Sequence, residues 1–185
     1  MSSVLKSAAF GLIAAGLAAA TAALAADPAP APVPAGATAE IKGPDGARLG
    51  TATFREGPTG VLARVEVKGL PPGWHGMHFH EKGDCSDPKF MNSGAHMNHA
   101  DAKVPHGLLN PKGPDYGDLP NLYVAADGSG VGEVFSSLIS LKGEGGRPAL
   151  LAPGGRALVI HASPDDHVTQ PIGGAGARIA CGVIR

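Results

Sequence analysis

The sequence carries no surplus of positive charge: 15 Lys and Arg stand against 16 Asp and Glu, a formal net charge of −1. A nucleic-acid partner needs a basic face, and nothing here supplies one. Cysteine is nearly absent, with only Cys85 and Cys181 in 185 residues. Neither stands in a CxxC or CxH pair, which argues against thiolate zinc sites. No second apolar run of spanning length follows the first 25 residues, so no stable membrane insertion is expected beyond them. No cysteine stands directly after the small residues of that opening stretch either, which argues against a lipid anchor.

The opening stretch itself has the layout of an export signal. Lys6 is its only charge, an Ala-rich run extends from Ala8 to Ala20, and Ala23-Leu24-Ala25 has the small-x-small form cut by a signal peptidase. Residues 1–25 are therefore expected to be a cleaved signal peptide, and the destination the periplasm. Losing Lys6 with it removes one positive charge and takes the net charge from −1 to −2. Residues 26–38 follow as a tether, in which Pro alternates with Ala or Val and favours an extended, semi-rigid chain. Residues 39–185 are then one domain with its own core. In an oxidising compartment two cysteines default to a disulfide, which would close a loop of about 100 residues; two thiolate metal ligands are the alternative.

Turn signals such as Gly43-Pro44-Asp45-Gly46 and Pro71-Pro72-Gly73 separate short alternating runs. In residues 61–68 the odd positions are apolar while Arg64, Glu66 and Lys68 alternate with them, and residues 49–54 and 157–160 also read as strands. Many short strands between turns predict an all-β sandwich or barrel. Residues 131–141 are ambiguous, because apolar positions 131, 134, 135 and 138 have helical spacing. Residues 84–122 show almost no strand pattern yet hold Cys85 and three histidines, which marks a functional loop.

Eight histidines stand at 75, 78, 80, 96, 99, 106, 161 and 167. On a strand, His78 and His80 share one face while Met77 and Phe79 turn to the core. His161 ends the strand Leu158-Val159-Ile160. Imidazoles gathered from separate segments suit a transition metal, and carboxylates at Asp115 and Asp118 suit a harder zinc site beside it.

The stretches Gly76-Met77-His78-Phe79-His80-Glu81-Lys82-Gly83-Asp84-Cys85, Gly94-Ala95-His96, His106-Gly107, Gly117-Asp118-Leu119 and Gly176-Ala177-Arg178-Ile179-Ala180-Cys181-Gly182-Val183-Ile184 resemble the copper-zinc superoxide dismutase family in its exported bacterial form. The likeness covers nearly all of residues 39–185, with the motifs in the family's order. It implies an eight-stranded Greek-key sandwich or flattened barrel with long metal-binding loops. It implies copper ligands His78, His80, His96 and His161, and zinc ligands His96, His106 and Asp118. Asp165 would be the carboxylate that hydrogen-bonds a ligand of each metal, and Cys85–Cys181 the intrasubunit disulfide. The implied activity is conversion of superoxide to oxygen and hydrogen peroxide, with Arg178 holding the anion and His96 carrying a proton.

One position departs. The family usually has histidine three residues before the zinc aspartate, and here that residue is Asp115. Asp115 completing the zinc set, His99 reaching in instead, and a weak zinc site all remain open. His75 is read as a buried structural histidine and His167 as a solvated one. A copper carrier or sensor without catalysis, and a zinc hydrolase, are the rival readings; monomer and homodimer both stay open.

Overall fold

A computed structural model of the protein describes residues 36–101 and 103–185. The expected leader, and the tether as far as residue 35, lie outside the described residues. The first strand starts at Ala37, two residues inside the stretch read as tether.

Among the described residues nine antiparallel strands make one sheet: β1 (Ala37–Lys42), β2 (Arg48–Gly57), β3 (Gly60–Lys68), β4 (Gly73–His75), β5 (Met77–His80), β6 (Leu122–Val124), β7 (Ser129–Ser136), β8 (Arg156–His161) and β9 (Arg178–Ile184). Their order is β4-β6-β7-β3-β2-β1-β9-β8-β5. The two ends of that order, β4 and β5, are consecutive in the chain and part only at Gly76. Residues 73–80 thus run as one broken strand, pairing with β6 through its first half and β8 through its second, and the sheet nearly closes into a barrel. Counted that way the strands number eight, as expected.

Alternation fills the barrel. Ala37, Ala39 and Ile41 of β1 and Val61, Ala63, Val65 and Val67 of β3 are buried, whereas Thr38, Glu40, Arg64 and Glu66 are exposed. Phe54 and Phe79 meet at the centre with ring centroids 6.0 Å apart. Burial of such a side chain contributes roughly 1.5–3 kcal/mol.

Residues 131–141 hold no helix. Ser129–Ser136 pair residue by residue with β3, from Val61↔Ser136 to Lys68↔Ser129. This non-local ladder overrides the helical spacing. Val131 and Phe135 face solvent, and Gly132 turns inward, where an added Cβ would meet Leu122 at 2.9 Å.

The long loop is ordered by the strand it crosses. Phe79 donates to the Gly117 carbonyl (2.9 Å), Met97 to the Phe79 carbonyl (2.8 Å) and Glu81 to the Ala95 carbonyl (2.9 Å). The open edge of β5 is thereby occupied, and His96 and Asp118 are brought opposite His80 and His78. A second small core, Phe90, Ala157, Val159 and Cys181 with Cys85 against it, packs outside the barrel wall under this loop. The Cys85–Cys181 disulfide pins it there, with Cα atoms 5.8 Å apart.

Candidate metal centre

Met77 and Phe79 enter the barrel core, so the strand's period of two sends His78 and His80 outward, beneath the loop. Both are fully buried there. His161 arrives from the end of β8, and His96 from the loop segment bridged to His80. One donor atom from each of His78, His80, His96 and His161 lies within 4.8 Å of the others. The imidazoles at 78 and 96 stack at 3.9 Å between centroids, and His161 stands edge-on to His78 at 4.8 Å.

Hydrogen bonds fix which nitrogen of each ring stays free. His78 Nε2 donates to Asp165 Oδ2 (2.8 Å), His80 Nδ1 to the Gly94 carbonyl (3.0 Å) and His161 Nδ1 to the Gly176 carbonyl (3.1 Å). His106 Nε2 donates to Asp165 Oδ1 at 3.1 Å. What remains is buried and without a well-formed hydrogen bond: His78 Nδ1, His80 Nε2, His161 Nε2, both nitrogens of His96, and His106 Nδ1 and Asp118 Oδ1, which face each other as an ion pair. Leaving so many polar atoms unsatisfied costs several kcal/mol in total unless something binds them. The residues fit a pair of metal ions.

A second group surrounds Nδ1 of His96, which lies 3.3 Å from Asp115 Oδ2 and 3.9 Å from Asp118 Oδ1. His106 Nδ1 is 2.5 Å from Asp118 Oδ1 and 4.0 Å from Asp115 Oδ2. Ligands of one tetrahedral zinc sit about 3.3 Å apart, given bonds near 2.0 Å. His78, His96, His106 and Asp118 also form a compact set within 4.8 Å. Asp118 Oδ2 is already occupied, by the amides of Gly107 (2.8 Å) and Asp115 (2.9 Å).

Burial, with the neighbouring imidazoles, pushes His78 down to about 3, and burial with the His96, Arg178 and His161 charges pushes His80 to about 2; burial takes His161 to about 4. All three are neutral near pH 7, the form that binds metal. Burial opposes protonation of His106 too, but Asp118 and Asp165 outweigh it and raise the group to about 10. Metal uptake there must release a proton. Burial pushes Asp165 up, yet the hydrogen bonds from His106, His78 and the His167 amide hold it well below the carboxylate range.

These values set a pH profile for the metal-stripped protein. Below about pH 6.5 the unfolded imidazoles take up protons that folded His78, His80 and His161 refuse, so each costs about 1.4 kcal/mol per pH unit until its folded value is reached. His106 acts oppositely: its contribution is complete below about pH 6.5 and is lost as pH rises through about 10. The melting temperature of the stripped protein should fall between pH 6.5 and 4.5. A flat profile would show that the three imidazoles are not buried neutral.

Arg178, at the start of β9, is half-buried beside this centre. Its Nη1 donates to the Phe90 carbonyl (2.6 Å) and Ser93 Oγ (3.2 Å), and its Nη2 to the Gly94 carbonyl (2.7 Å). It lines a cavity of about 370 Å³ together with His96, His106 and Asp115.

The other histidines sort differently. His75 is buried, its ring nitrogens on the carbonyls of His161 (2.7 Å) and Pro71 (2.8 Å), in keeping with a structural role. His99 stacks on Tyr116 at 3.9 Å and, like Asp115, stands in neither four-residue donor group, but only Asp115 has an oxygen close to His96 Nδ1, at 3.3 Å. His167 is not the solvated residue expected: it is part-buried, its amide donates to Asp165 Oδ1 (2.6 Å), and Nδ1 lies 3.5 Å from Asp165 Oδ2.

Several contributors carry no sequence pattern. Asn121 brackets the Asp165 backbone, its Oδ1 accepting the amide and its Nδ2 donating to the carbonyl, both at 2.8 Å. Gln170 brackets His106 in the same way, at 2.9 and 2.8 Å. Gly173 is required beside Asp165: its φ is +60°, and an added Cβ would fall 1.6 Å from Oδ1. The sequence signal was only their nearness to Asp118 and Asp165.

The fold and site define a class: a nearly closed antiparallel barrel carrying an imidazole-rich centre for two adjacent metal ions, roofed by a disulfide-tethered loop. Comparison with known proteins agrees. The model of the copper/zinc superoxide dismutase (SODC) family matches residues 48–184. The Cu-Zn superoxide dismutase of Caulobacter vibrioides is 60% identical over 149 residues, covering 80% of this chain and 85% of that one. Superoxide dismutase [Cu-Zn] 2 of Aquifex aeolicus is 44% identical, covering 80% and 86%. Among solved structures, an SOD-like protein from Bacillus subtilis superposes with a TM-score of 0.73 at 34% identity over 79% of this chain and 96% of that one. The Cu/Zn superoxide dismutase of Brucella abortus gives 0.62 at 31%, over 80% and 98%. This chain belongs to the copper/zinc superoxide dismutase family.

Proposed function

We propose that the protein is an exported superoxide dismutase, working in the periplasm on two superoxide anions and two protons to give oxygen and hydrogen peroxide. His78, His80, His96 and His161 would bind copper. His96, His106, Asp115 and Asp118 would bind zinc, since the single free nitrogen of His78 serves one ion only and leaves Asp115 as the fourth donor. When bound, copper supplies a one-electron couple that takes an electron from one superoxide and returns it to the next, while zinc, with a filled d shell, does not change oxidation state. The observation that carries this reading is the set of buried, unpartnered donor atoms, one per ring except at His96, which offers two.

The residues divide the remaining work. Asp165 holds the far nitrogens of His78 and His106 together, fixing both rings at once. His96 Nε2 carries a proton in one half of the cycle and gives it to the forming peroxide in the other, with solvent supplying the second. Arg178 holds the incoming anion. A guanidinium has five N–H donors, three of the bonds above use three of them, and two stay free for superoxide. A carrier or sensor needs no such cation at its mouth, and the relatives' names do not favour that reading. A direct test compares superoxide consumption by protein loaded with zinc alone and with copper and zinc. Only the copper-containing form should be active; equal rates would refute the reading.

Asp115 is the atypical zinc donor, with Oδ1 accepting the Gly117 amide (2.8 Å) and Oδ2 aimed at the site. Asp115→Ala should lower zinc affinity by at least about 10-fold, as loss of a metal ligand or its close support does, and Asp115→His should raise zinc retained per chain against a chelator. No change in either would place Asp115 outside the zinc shell.

A further inference from the structure

Two oxygen atoms touch both the cation at the mouth and a copper-side imidazole. The Gly94 carbonyl accepts from Arg178 Nη2 (2.7 Å) and from His80 Nδ1 (3.0 Å). Ser93 Oγ lies 3.2 Å from Arg178 Nη1 and 3.2 Å from His80 Nδ1. The first is backbone. The second is a side chain, and it is fully buried.

The proton arithmetic of that hydroxyl is closed. A serine has one donor and two acceptor positions. Oγ donates to the Phe90 carbonyl at 2.7 Å, which leaves its lone pairs to accept from Arg178 Nη1 and to share the single His80 Nδ1 proton with the Gly94 carbonyl. Phe90 O in turn accepts Arg178 Nη1 at 2.6 Å, so Arg178, Ser93 and Phe90 form a closed triangle. The Met91–Ser93 3-10 turn that carries Ser93 presents no other polar side chain to this triangle among the contacts described. We propose that Ser93 is a positioning residue that sets the reach of Arg178 toward an anion bound beside His80. The inference rests on the reading of Arg178 as the anion-holding group.

Azide, a small anion, is the probe, titrated into the full-length protein loaded with copper and zinc and followed by its absorbance change on binding. Ser93→Ala should weaken azide binding by about 3- to 10-fold, the range of one net hydrogen bond, with copper per chain unchanged. In the Arg178→Lys background the same substitution should have no further effect, because Ser93 acts through the guanidinium. Ser93→Thr, which keeps the hydroxyl, should restore most of the affinity. An azide affinity unaltered by Ser93→Ala, or a loss of equal size in both backgrounds, overturns the proposal. Should Arg178→Lys itself leave azide binding untouched, the reading of Arg178 falls and the proposal with it. That outcome is separable from the first because it needs no change at Ser93.

Discussion

Arg178→Ala is expected to slow superoxide consumption by about 10- to 100-fold, the scale of a lost hydrogen bond to a charged group, and to flatten the dependence of rate on salt. Arg178 leaves β9 beside the imidazoles and is tied to the carbonyls of Phe90 and Gly94 and the hydroxyl of Ser93, which fix its guanidinium at a half-buried position. All three are neutral acceptors, and Asp87 acts on the guanidinium only at a distance, so the positive charge is not paired off where the anion arrives. A fixed cation in a partly desolvated mouth attracts and orients an anion, and salt screens that attraction. The buried donor atoms of the four histidines do not depend on this side chain, so copper per chain should stay the same. Arg178→Lys should retain part of the rate, since it keeps charge but not the planar fork. A variant with wild-type rate and wild-type salt dependence would remove Arg178 from the mechanism.

The second large effect concerns the disulfide. Cys85→Ser with Cys181→Ser removes a cross-link spanning 96 residues, which in the chain-entropy model contributes about 4–5 kcal/mol. A domain of this size has roughly 5–15 kcal/mol in all, so the denaturation midpoint should fall sharply. The loss should also reach the site. Cys85 anchors the loop that supplies Phe90 O, Ser93 and Gly94 O, the three partners of Arg178, while Cys181 lies on the same strand as Arg178 itself. Releasing the loop loosens the cation before it disturbs His78 or His161, which are held by β5 and β8. Activity under conditions where the variant is still folded should therefore drop more than copper content does. Equal midpoints for the variant and the parent would show that the loop is held by Phe90 and its neighbours alone.

Much of this was legible because strand periodicity and chemistry coincide. The alternation Met77-His78-Phe79-His80 assigns one pair to the core and the other to the loop side, and the structure keeps that division. The unusual Asp115 could be seen as a candidate donor from its distance to Asp118 in the chain. Other features could not be read. Residues 131–141 have an apolar spacing that suits a helix, and only their pairing with β3 decides otherwise. His167 lies in a polar run, but its positive φ (62°) and its amide bond to Asp165 turn it inward. Asn121 and Gln170 act on backbone atoms 44 and 64 residues away, and Ser93 reaches side chains 13 and 85 residues away, contacts that no local pattern encodes.

Superoxide turnover by this protein requires one redox-active ion held by imidazoles from β5, the long loop and the end of β8. The measurement that bears on it most directly is copper per chain by elemental analysis, with superoxide consumption on the same samples, for the parent and for His78→Ala, His80→Ala and His161→Ala. One copper per chain in the parent, and parallel loss of copper and activity in each variant, is the result expected. Variants that keep both the metal and the activity would contradict it.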